Sequence, residues 1–266
     1  MTHSNVTVLV IDLLNFLDTR LVDQVFDSMR IRVIRPHNRK ALIEVLSHTD
    51  GQWSNRPDFI LVLNHSQDIL PWLAPFLAYA EQAGTRVVNP LSAIQLFEHP
   101  LARNMSLKRI GVRVPRFYFG SSATIPSDLG ETVVWKSLCG HQTIRCARDG
   151  IHSFEDPVYV EELIPNSDRR VLTIYGINDC FYGRWKEDAL QSKKKSRKLI
   201  TDLTVFQTQL QVAQQIGEHF SLIFLNVEFI NDVVVDVNTI ANFFYPDHQE
   251  PVRALGQWIL DHVSAG

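Results

Sequence analysis

The strongest constraint on the fold is an alternation of two hydrophobic periodicities along residues 1–88. Continuous apolar runs of strand length lie at residues 6–11 and 59–63, and shorter ones lie at 31–34 and 86–88. Segments with the spacing of an amphipathic helix separate these runs. Because strands that are apolar on both faces must be covered on both faces, this order predicts βαβ units around a small parallel sheet.

Beyond residue 88 the sequence becomes rich in strand-like segments. Asn89–Pro90 interrupts the alternation and is followed by two helical segments, at residues 91–97 and 100–110. Further helices are predicted only near residues 205–220 and 251–263. The remaining predicted strands are residues 116–119, 131–135, 143–145, 158–162, 169–175, 180–186, 222–230 and 233–237. The fold class is therefore α/β (α+β), a parallel domain followed by mainly antiparallel sheet.

Composition excludes several classes of protein. The chain of 266 residues is 45% hydrophobic and 21% charged, which is too apolar for a disordered chain. Lys and Arg number 26 against 29 Asp and Glu, so no nucleic-acid partner is expected. No apolar stretch reaches the length of about 18 residues that spans a membrane. The three cysteines form no C-x-x-C pair, so we expect a soluble cytoplasmic protein without a membrane partner.

Charged residues inside strand-like segments are the main candidates for chemistry. The G-x-G-x-x-G, G-x-x-x-x-G-K-[ST] and G-x-S-x-G motifs do not occur, so Rossmann, P-loop and esterase interpretations lose their main support. A half-buried charge in a sheet loses hydration worth several kcal/mol, so it requires a partner or a ligand. The candidates are Lys136, Glu161, Glu162, Asp168, Arg170, Arg184, Glu228, Asp236 and Asn238.

The last predicted hairpin carries an oxygen-rich group. With a turn at Asn231–Asp232, Glu228 would oppose Val235 and lie diagonal to Asp236 and Asn238, which share a face because strand side chains alternate. Two carboxylates and a carboxamide offer the oxygen ligands that Mg²⁺ prefers. The alternative is that both acids simply face solvent on a half-exposed hairpin.

Two other strand ends are candidate ligand sites. Lys136 ends an apolar strand next to Gly140, and could present its ammonium group to an anion; the alternative is a lysine extending to solvent. Glu161 and Glu162 are adjacent on one strand, so their side chains point to opposite faces and one of them must face the apolar side.

These residues, in this order, resemble the ATP-grasp superfamily, and in particular the group of the ribosomal-protein glutamate ligase and the peptide ligases. Six short motifs carry the resemblance, spread from residue 89 to residue 238. They are Asn89-Pro90 with the helices up to Gly111–Pro115, Val133–Lys136, Val160–Ile164, Asp168–Val171, Arg184, and the pair Val227-Glu228 with Val235–Asn238. The resemblance implies an N-terminal domain over residues 1–88, linker helices and a mobile lid over 89–162, and a C-terminal ATP-grasp subdomain over 163–266.

The resemblance also implies a role for each residue. The implied catalytic residues are Lys136, Arg170 and Arg184. The implied nucleotide-binding residues are Lys136, His99, Gly140, Glu161, Glu162, Leu163, Ile164 and Asp168. The implied metal ligands, for Mg²⁺ with Mn²⁺ as an alternative, are Glu228, Asp236 and Asn238.

The implied activity is an ATP-dependent ligase that joins a carboxylate to an amine through an acyl phosphate. Its partners would be ATP and small-molecule or peptide substrates, and a homo-oligomer is compatible with the chain. His99 stands where the group has a lysine, and the glycine-rich lid loop is reduced to Gly140-His141-Gln142. The alternative is therefore a degenerate ATP-grasp protein that binds a nucleotide or serves as an accessory subunit without catalysis.

Overall fold

The structure is a computed structural model that describes residues 6–12, 20–47, 53, 56–64, 70–138, 142–188, 190, 197–200, 202–239 and 249–263. Within these ranges the chain forms three sheets, one parallel and two antiparallel.

The first sheet is parallel, with strand order β2-β1-β3-β4. Its strands are β1 (Thr7–Asp12), β2 (Arg32–Ile34), β3 (Phe59–Asn64) and β4 (Arg86–Val88), and its helices are α1 (Arg20–Ser28), α2 (Arg39–Leu46) and α3 (Leu70–Gln82). Helices α2 and α3 cover one face, whereas α1 and the terminal helix α7 (Gln249–Val263) cover the other. This double cover explains why β1 and β3 are continuous apolar runs.

The second sheet is antiparallel, with strand order β5-β8-β6-β7. It follows two helices, α4 (Leu91–Glu98) and α5 (Pro100–Arg109), and its strands are β5 (Phe117–Gly120), β6 (Thr132–Lys136), β7 (Thr143–Ala147) and β8 (Val158–Glu162). One face of β6 and β8 packs on a small apolar core, to which Val133, Val158 and Val160 contribute. The opposite face of β8 therefore points Tyr159 and Glu161 toward α5.

The third sheet is also antiparallel, with strand order β11-β10-β9-β12-β13. Its strands are β9 (Arg170–Ile177), β10 (Cys180–Glu187), β11 (Arg197–Ile200), β12 (Phe224–Ile230) and β13 (Val233–Asn238), with α6 (Gln207–His219) between β11 and β12. Helix α6 covers one face through Ala213 and Ile216. The other face holds charged side chains at one end and packs against α7 at the other.

The predicted fold class is confirmed, because a parallel sheet is followed by two antiparallel sheets. Strand β11 was not predicted, because its first two residues belong to a run of basic residues. No helix within the described ranges is long and apolar enough to cross a membrane.

Asn89 joins the end of the parallel sheet to the third sheet. Its side chain is fully buried, with Nδ2 donating to the carbonyl oxygens of Phe224 at 2.7 Å and of Thr239 at 2.5 Å. Its Oδ1 accepts from the backbone N–H groups of Ile223 at 2.7 Å and of Phe224 at 2.9 Å. One side chain thus satisfies four backbone groups, three of them fully buried.

Candidate functional site

A cleft of about 400 Å³ lies between the two antiparallel sheets, with α5 along one wall. The ends of strands β6 and β8 form one side of the cleft, and the charged face of β10, β12 and β13 forms the other. The charged side chains lining it are Glu98, Arg103, Lys136, Glu161, Glu162, Lys186, Asp188, Glu228 and Asp236.

Lys136 is held in the cleft by a buried ion pair. Its Nζ lies 2.8 Å from Oε2 of Glu161, and the two side chains are only 11% and 3% exposed. Oε1 of the same carboxylate accepts from Asn104 Nδ2 at 2.8 Å and from the hydroxyl of Tyr159 at 2.9 Å. Burial, and then the Glu161 charge, raise the pKa of Tyr159 far above its usual value, so the hydroxyl keeps its proton and donates.

A β-bulge in the last hairpin sets the geometry of the opposite wall. Ile230 opposes Val233 as predicted, but the register then shifts so that Glu228 directly opposes Asp236 instead of Val235. The predicted diagonal position of Asp236 is therefore wrong, because the bulge adds one residue to β13, whereas Asn238 is diagonal to Glu228 as predicted. The extra residue is Val235, whose carbonyl oxygen lies outside the regular ladder and accepts from Lys136 Nζ at 2.9 Å.

Each carboxylate oxygen of Asp236 has a side-chain partner. Its Oδ1 forms a short ion pair with Nη1 of Arg103 from α5, and its Oδ2 accepts from Nδ2 of Asn238 at 3.1 Å. The contact with Asn238 confirms that the two side chains share a face of β13. Burial alone would raise the pKa of Asp236, but the charges of Arg103 and Lys136 outweigh burial and hold it below its usual value.

Glu228 makes the third ion pair of the cleft, with Nζ of Lys186. Its side chain is 13% exposed, and burial raises the pKa of Glu228 although Lys186 opposes the shift. The nearby charge of Asp236 raises the pKa further. The two facing carboxylates therefore repel one another unless a cation lies between or beside them.

Most of the predicted site residues meet in this one cleft. It is lined by Lys136, Glu161, Glu162, Leu163, Ile164, Glu228, Asp236 and Asn238. Glu162 also pairs with Arg116, whose Nε lies 2.7 Å from Oε2.

Three other predicted residues lie elsewhere in the described structure. His99 is not part of the cleft lining; it caps α5, with Nδ1 accepting from Ala102 N at 3.4 Å. Asp168 and Arg170 line a separate cavity of about 200 Å³ beside Leu172, on the face of β9 that points away from the cleft. Their nucleotide-binding or catalytic roles stay predictions, as does that of Gly140, which lies outside the described residues.

Arg184 lies on the face of the third sheet that carries Glu228, but it does not line the cleft. Cross-strand register places it opposite Thr173, which in turn opposes Glu228. Directly opposed residues share a face of a sheet, so Arg184 lies in one row with both facing carboxylates.

Arg103, Asn104 and Tyr159 were not predicted as site residues, yet they complete the network around Glu161 and Asp236. A signal was present in α5, where the buried positions are Pro100, Arg103, Asn104 and Leu107. This spacing places an arginine and an asparagine on the apolar stripe of a helix, where a polar side chain requires a partner. Lys186 was also detectable, since it shares a strand face with Arg184.

Comparison with solved structures identifies the architecture. A RimK-domain ATP-grasp protein from Sphaerobacter thermophilus superposes with a TM-score of 0.71 over 96% of this chain and 99% of its own, at 17% identity. The chain has the ATP-grasp fold. No protein-family model matches the sequence, and no significant match to a curated protein was found.

Two further ATP-grasp structures are similar over nearly the whole chain. The RiPP-associated ATP-grasp ligase of Chryseobacterium gregarium, solved with ADP and a leader and core peptide, gives a TM-score of 0.69 at 12% identity over 97% of both chains. The ATP-grasp ligase PsnB, solved with a minimal precursor, Mg and ADP, gives 0.64 at 15% identity over 98% of this chain and 99% of that one.

The donor groups of the cleft fit a divalent cation that arrives with an anionic ligand. No cluster of three His, Cys, Asp or Glu side chains that could hold a metal occurs in the described residues. Glu228, Asp236 and Asn238 nevertheless supply carboxylate and amide oxygens on one wall, the donors that Mg²⁺ takes together with phosphate oxygens. The donors on this wall of the cleft therefore fit a divalent cation.

Proposed function

We propose that the protein is an ATP-dependent ligase that joins a carboxylate to an amine through an acyl phosphate. The observation that carries the proposal is the convergence of Lys136, from one sheet, with Glu228, Asp236 and Asn238, from the other, in a single cleft. An ammonium group facing carboxylate and amide oxygens is the arrangement that a metal-bound triphosphate requires. The ADP and Mg bound by structurally similar ligases support the same nucleotide here.

Each wall of the cleft has a different task in this proposal. Lys136 binds phosphate oxygens, and the adenine ring lies along Glu162, Leu163 and Ile164, the segment that leaves β8. Glu228, Asp236 and Asn238 would hold Mg²⁺ or Mn²⁺, which supplies charge neutralisation for the phosphoryl group when bound. Arg184, on the same sheet face as Glu228 but with β9 between their strands, would add positive charge for the transferring phosphoryl group.

The reaction then requires no side-chain nucleophile. A carboxylate oxygen of the substrate attacks the γ-phosphorus and ADP leaves, giving the acyl phosphate. The nitrogen of an amine attacks the acyl carbon, phosphate leaves, and the nitrogen loses a proton to give an amide. The leader and core peptide bound by the Chryseobacterium gregarium ligase, and the precursor peptide bound by PsnB in another structure, favour a peptide as one of the substrates.

A second candidate function is nucleotide binding without ligation. It is favoured by the ion pairs that already engage both candidate metal carboxylates, Glu228 with Lys186 and Asp236 with Arg103. In such a protein the resident cations would keep the divalent ion out, and bound ATP would not be turned over.

Nucleotide binding and turnover separate the two candidates. Calorimetry with ADP, with and without Mg²⁺, tests the site, and ADP release from ATP with mixtures of peptides and amines tests ligation. A ligase is expected to release ADP only when an acid is present, and at the highest rate when an amine is also present, because the acyl phosphate forms before the amine attacks. Tight nucleotide binding without ADP release in any mixture would favour the accessory protein, and absence of nucleotide binding would reject both.

We expect Asp236→Asn and Asn238→Ala each to lower nucleotide-dependent turnover at least tenfold, about 1.4 kcal/mol of transition-state stabilisation. Both changes remove oxygen ligands from the wall that faces Lys136. Initial rates of ADP release measure the effect. The matched control is Glu218→Gln, an exposed acid on α6 outside the cleft, which should leave the rate unchanged. Turnover at the wild-type rate in both cleft variants would remove these residues from the site.

A further inference from the structure

Every cation that lines the described part of the cleft is paired with a carboxylate of the same cleft. Lys136 pairs with Glu161, Lys186 with Glu228, and Arg103 with Asp236. Two of these three carboxylates are the candidate metal ligands. A divalent ion that takes them must therefore displace two resident cations.

Arg103 is built into this position by its surroundings. Its side chain is 7% exposed, and Nε donates to Asn104 Oδ1 at 3.3 Å, next to the Glu161 network. Burial lowers the pKa of Arg103, but the charges of Asp236 and Glu161 more than compensate and raise it, so the guanidinium stays charged. Its Nη2 is buried and has no hydrogen-bond partner among the described residues, which leaves one donor for a ligand of the cleft.

The charge of the cleft does not favour a polyphosphate alone. Six carboxylates line its described part against three cations, so negative charge is in excess there. A bare triphosphate would be repelled, and a bare divalent ion would compete with cations that are already in contact with the carboxylates. Nucleotide and metal therefore favour each other's binding. The phosphate oxygens can pair with the cations that the metal displaces, and the metal reduces the negative charge that repels the phosphates.

We propose that Arg103 and Lys186 are exchangeable counter-ions of the candidate metal carboxylates. In the nucleotide-free protein they neutralise Asp236 and Glu228 and oppose metal binding. When nucleotide and metal bind together, the metal takes the carboxylates and both cations pass to phosphate oxygens, where the unused Nη2 of Arg103 gains an acceptor. This proposal rests on the proposed nucleotide site and adds a thermodynamic rule, that metal and nucleotide bind with strong positive coupling.

The test is a binding cycle with Mn²⁺ and ADP, which needs no substrate and no turnover. The affinity for Mn²⁺ is measured by electron paramagnetic resonance without and with saturating ADP, in the wild-type protein, Arg103→Met and Lys186→Met. Without nucleotide, each variant is expected to bind Mn²⁺ about tenfold more tightly than the wild type, since a carboxylate loses its competitor. With ADP present the gain disappears or reverses, so the coupling falls in both variants.

The controls separate this exchange from other effects of losing a positive charge. Arg109→Met removes a guanidinium from the same helix at an exposed position outside the cleft, and should leave the nucleotide-free Mn²⁺ affinity unchanged. Adding Asp236→Asn to Arg103→Met should abolish the gain. Thermal unfolding checks that each variant is folded. If Arg103→Met does not fold, Lys186→Met provides the test alone, because its side chain is 32% exposed and its loss disturbs the packing less.

Nucleotide-free Mn²⁺ affinities equal to or weaker than wild type in the folded variants would overturn the counter-ion proposal, whatever ADP does. Failure of the wild-type protein to bind ADP in the presence of Mn²⁺ would instead reject the proposed function. The nucleotide-free Mn²⁺ titrations of the variants thus test the counter-ion proposal, and ADP binding by the wild-type protein tests the proposed function.

Discussion

Lys136→Met is expected to lower the free energy of unfolding by about 3–5 kcal/mol, because it leaves the buried Glu161 without its counter-ion. The pair is 2.8 Å apart and almost fully shielded from solvent, so water cannot replace the lost ammonium group. Methionine keeps most of the apolar stem, which isolates the charge from the packing. Urea unfolding followed by circular dichroism measures the change. Nucleotide affinity, measured by calorimetry on the folded fraction, should fall at least tenfold, about 1.4 kcal/mol.

A double variant separates the two effects of Lys136. In Lys136→Met combined with Glu161→Gln, the buried charge is gone, while an amide oxygen still accepts from Asn104 and Tyr159. Most of the stability should return, because removing both members of a buried pair costs far less than removing one. Nucleotide binding should stay lost. If the double variant bound ADP as the wild type does, Lys136 would be a structural residue and not a phosphate ligand.

Asn89→Ala is expected to destabilise the protein by about 3–5 kcal/mol, since several buried backbone groups lose their partner and each such group costs about 1–3 kcal/mol. The four hydrogen bonds of Asn89 run to the start of β12 and to Thr239 at the end of β13. The loss should therefore loosen the third sheet where it meets the parallel sheet. Urea unfolding gives the magnitude, and amide hydrogen exchange should show faster exchange at Ile223 and Phe224.

Asn38→Ala is the matched control for this prediction. Asn38 is an exposed helix cap of α2, whose Oδ1 accepts from a single backbone N–H, that of Ala41 at 2.8 Å. Its replacement should cost only about 1 kcal/mol. Similar losses at both positions would mean that the network of Asn89 contributes little beyond one ordinary hydrogen bond.

Much of the candidate site was readable from local sequence. The apolar strand that ends at Lys136 and the alternation that places Asp236 and Asn238 on one face both follow from a period of two. Residues 160–164 and 227–238 were also correctly assigned to strand ends and a hairpin. These features depend on neighbours within a few residues, so the sequence carries them directly.

Arg103 and Arg170 show where local patterns were insufficient. Arg170 belongs to one of the motifs that resemble the ATP-grasp superfamily. Val171, the next residue on β9, lines the cleft, so Arg170 points to the opposite face of the sheet. Arg103 lies within the helices of the first motif and was given no role there, yet α5 carries it to Asp236 across 133 positions of sequence. Which side chain reaches the cleft depends on how a helix docks against a sheet, and no short motif encodes that distance.

The sequence alone determined the order of the elements other than β11, the parallel and antiparallel character of the sheets, and which strands carry charge, because hydrophobic periodicity records how each segment is buried. Only the tertiary structure decided how the charges pair. One extra residue at Val235 brings Glu228 opposite Asp236 and turns a backbone carbonyl toward Lys136. Val233, Val234 and Val235 are all apolar, so the sequence pattern does not show where an extra residue enters the strand. The packing of α5 and the two sheets, rather than the local sequence, therefore reveals the arrangement of the cleft.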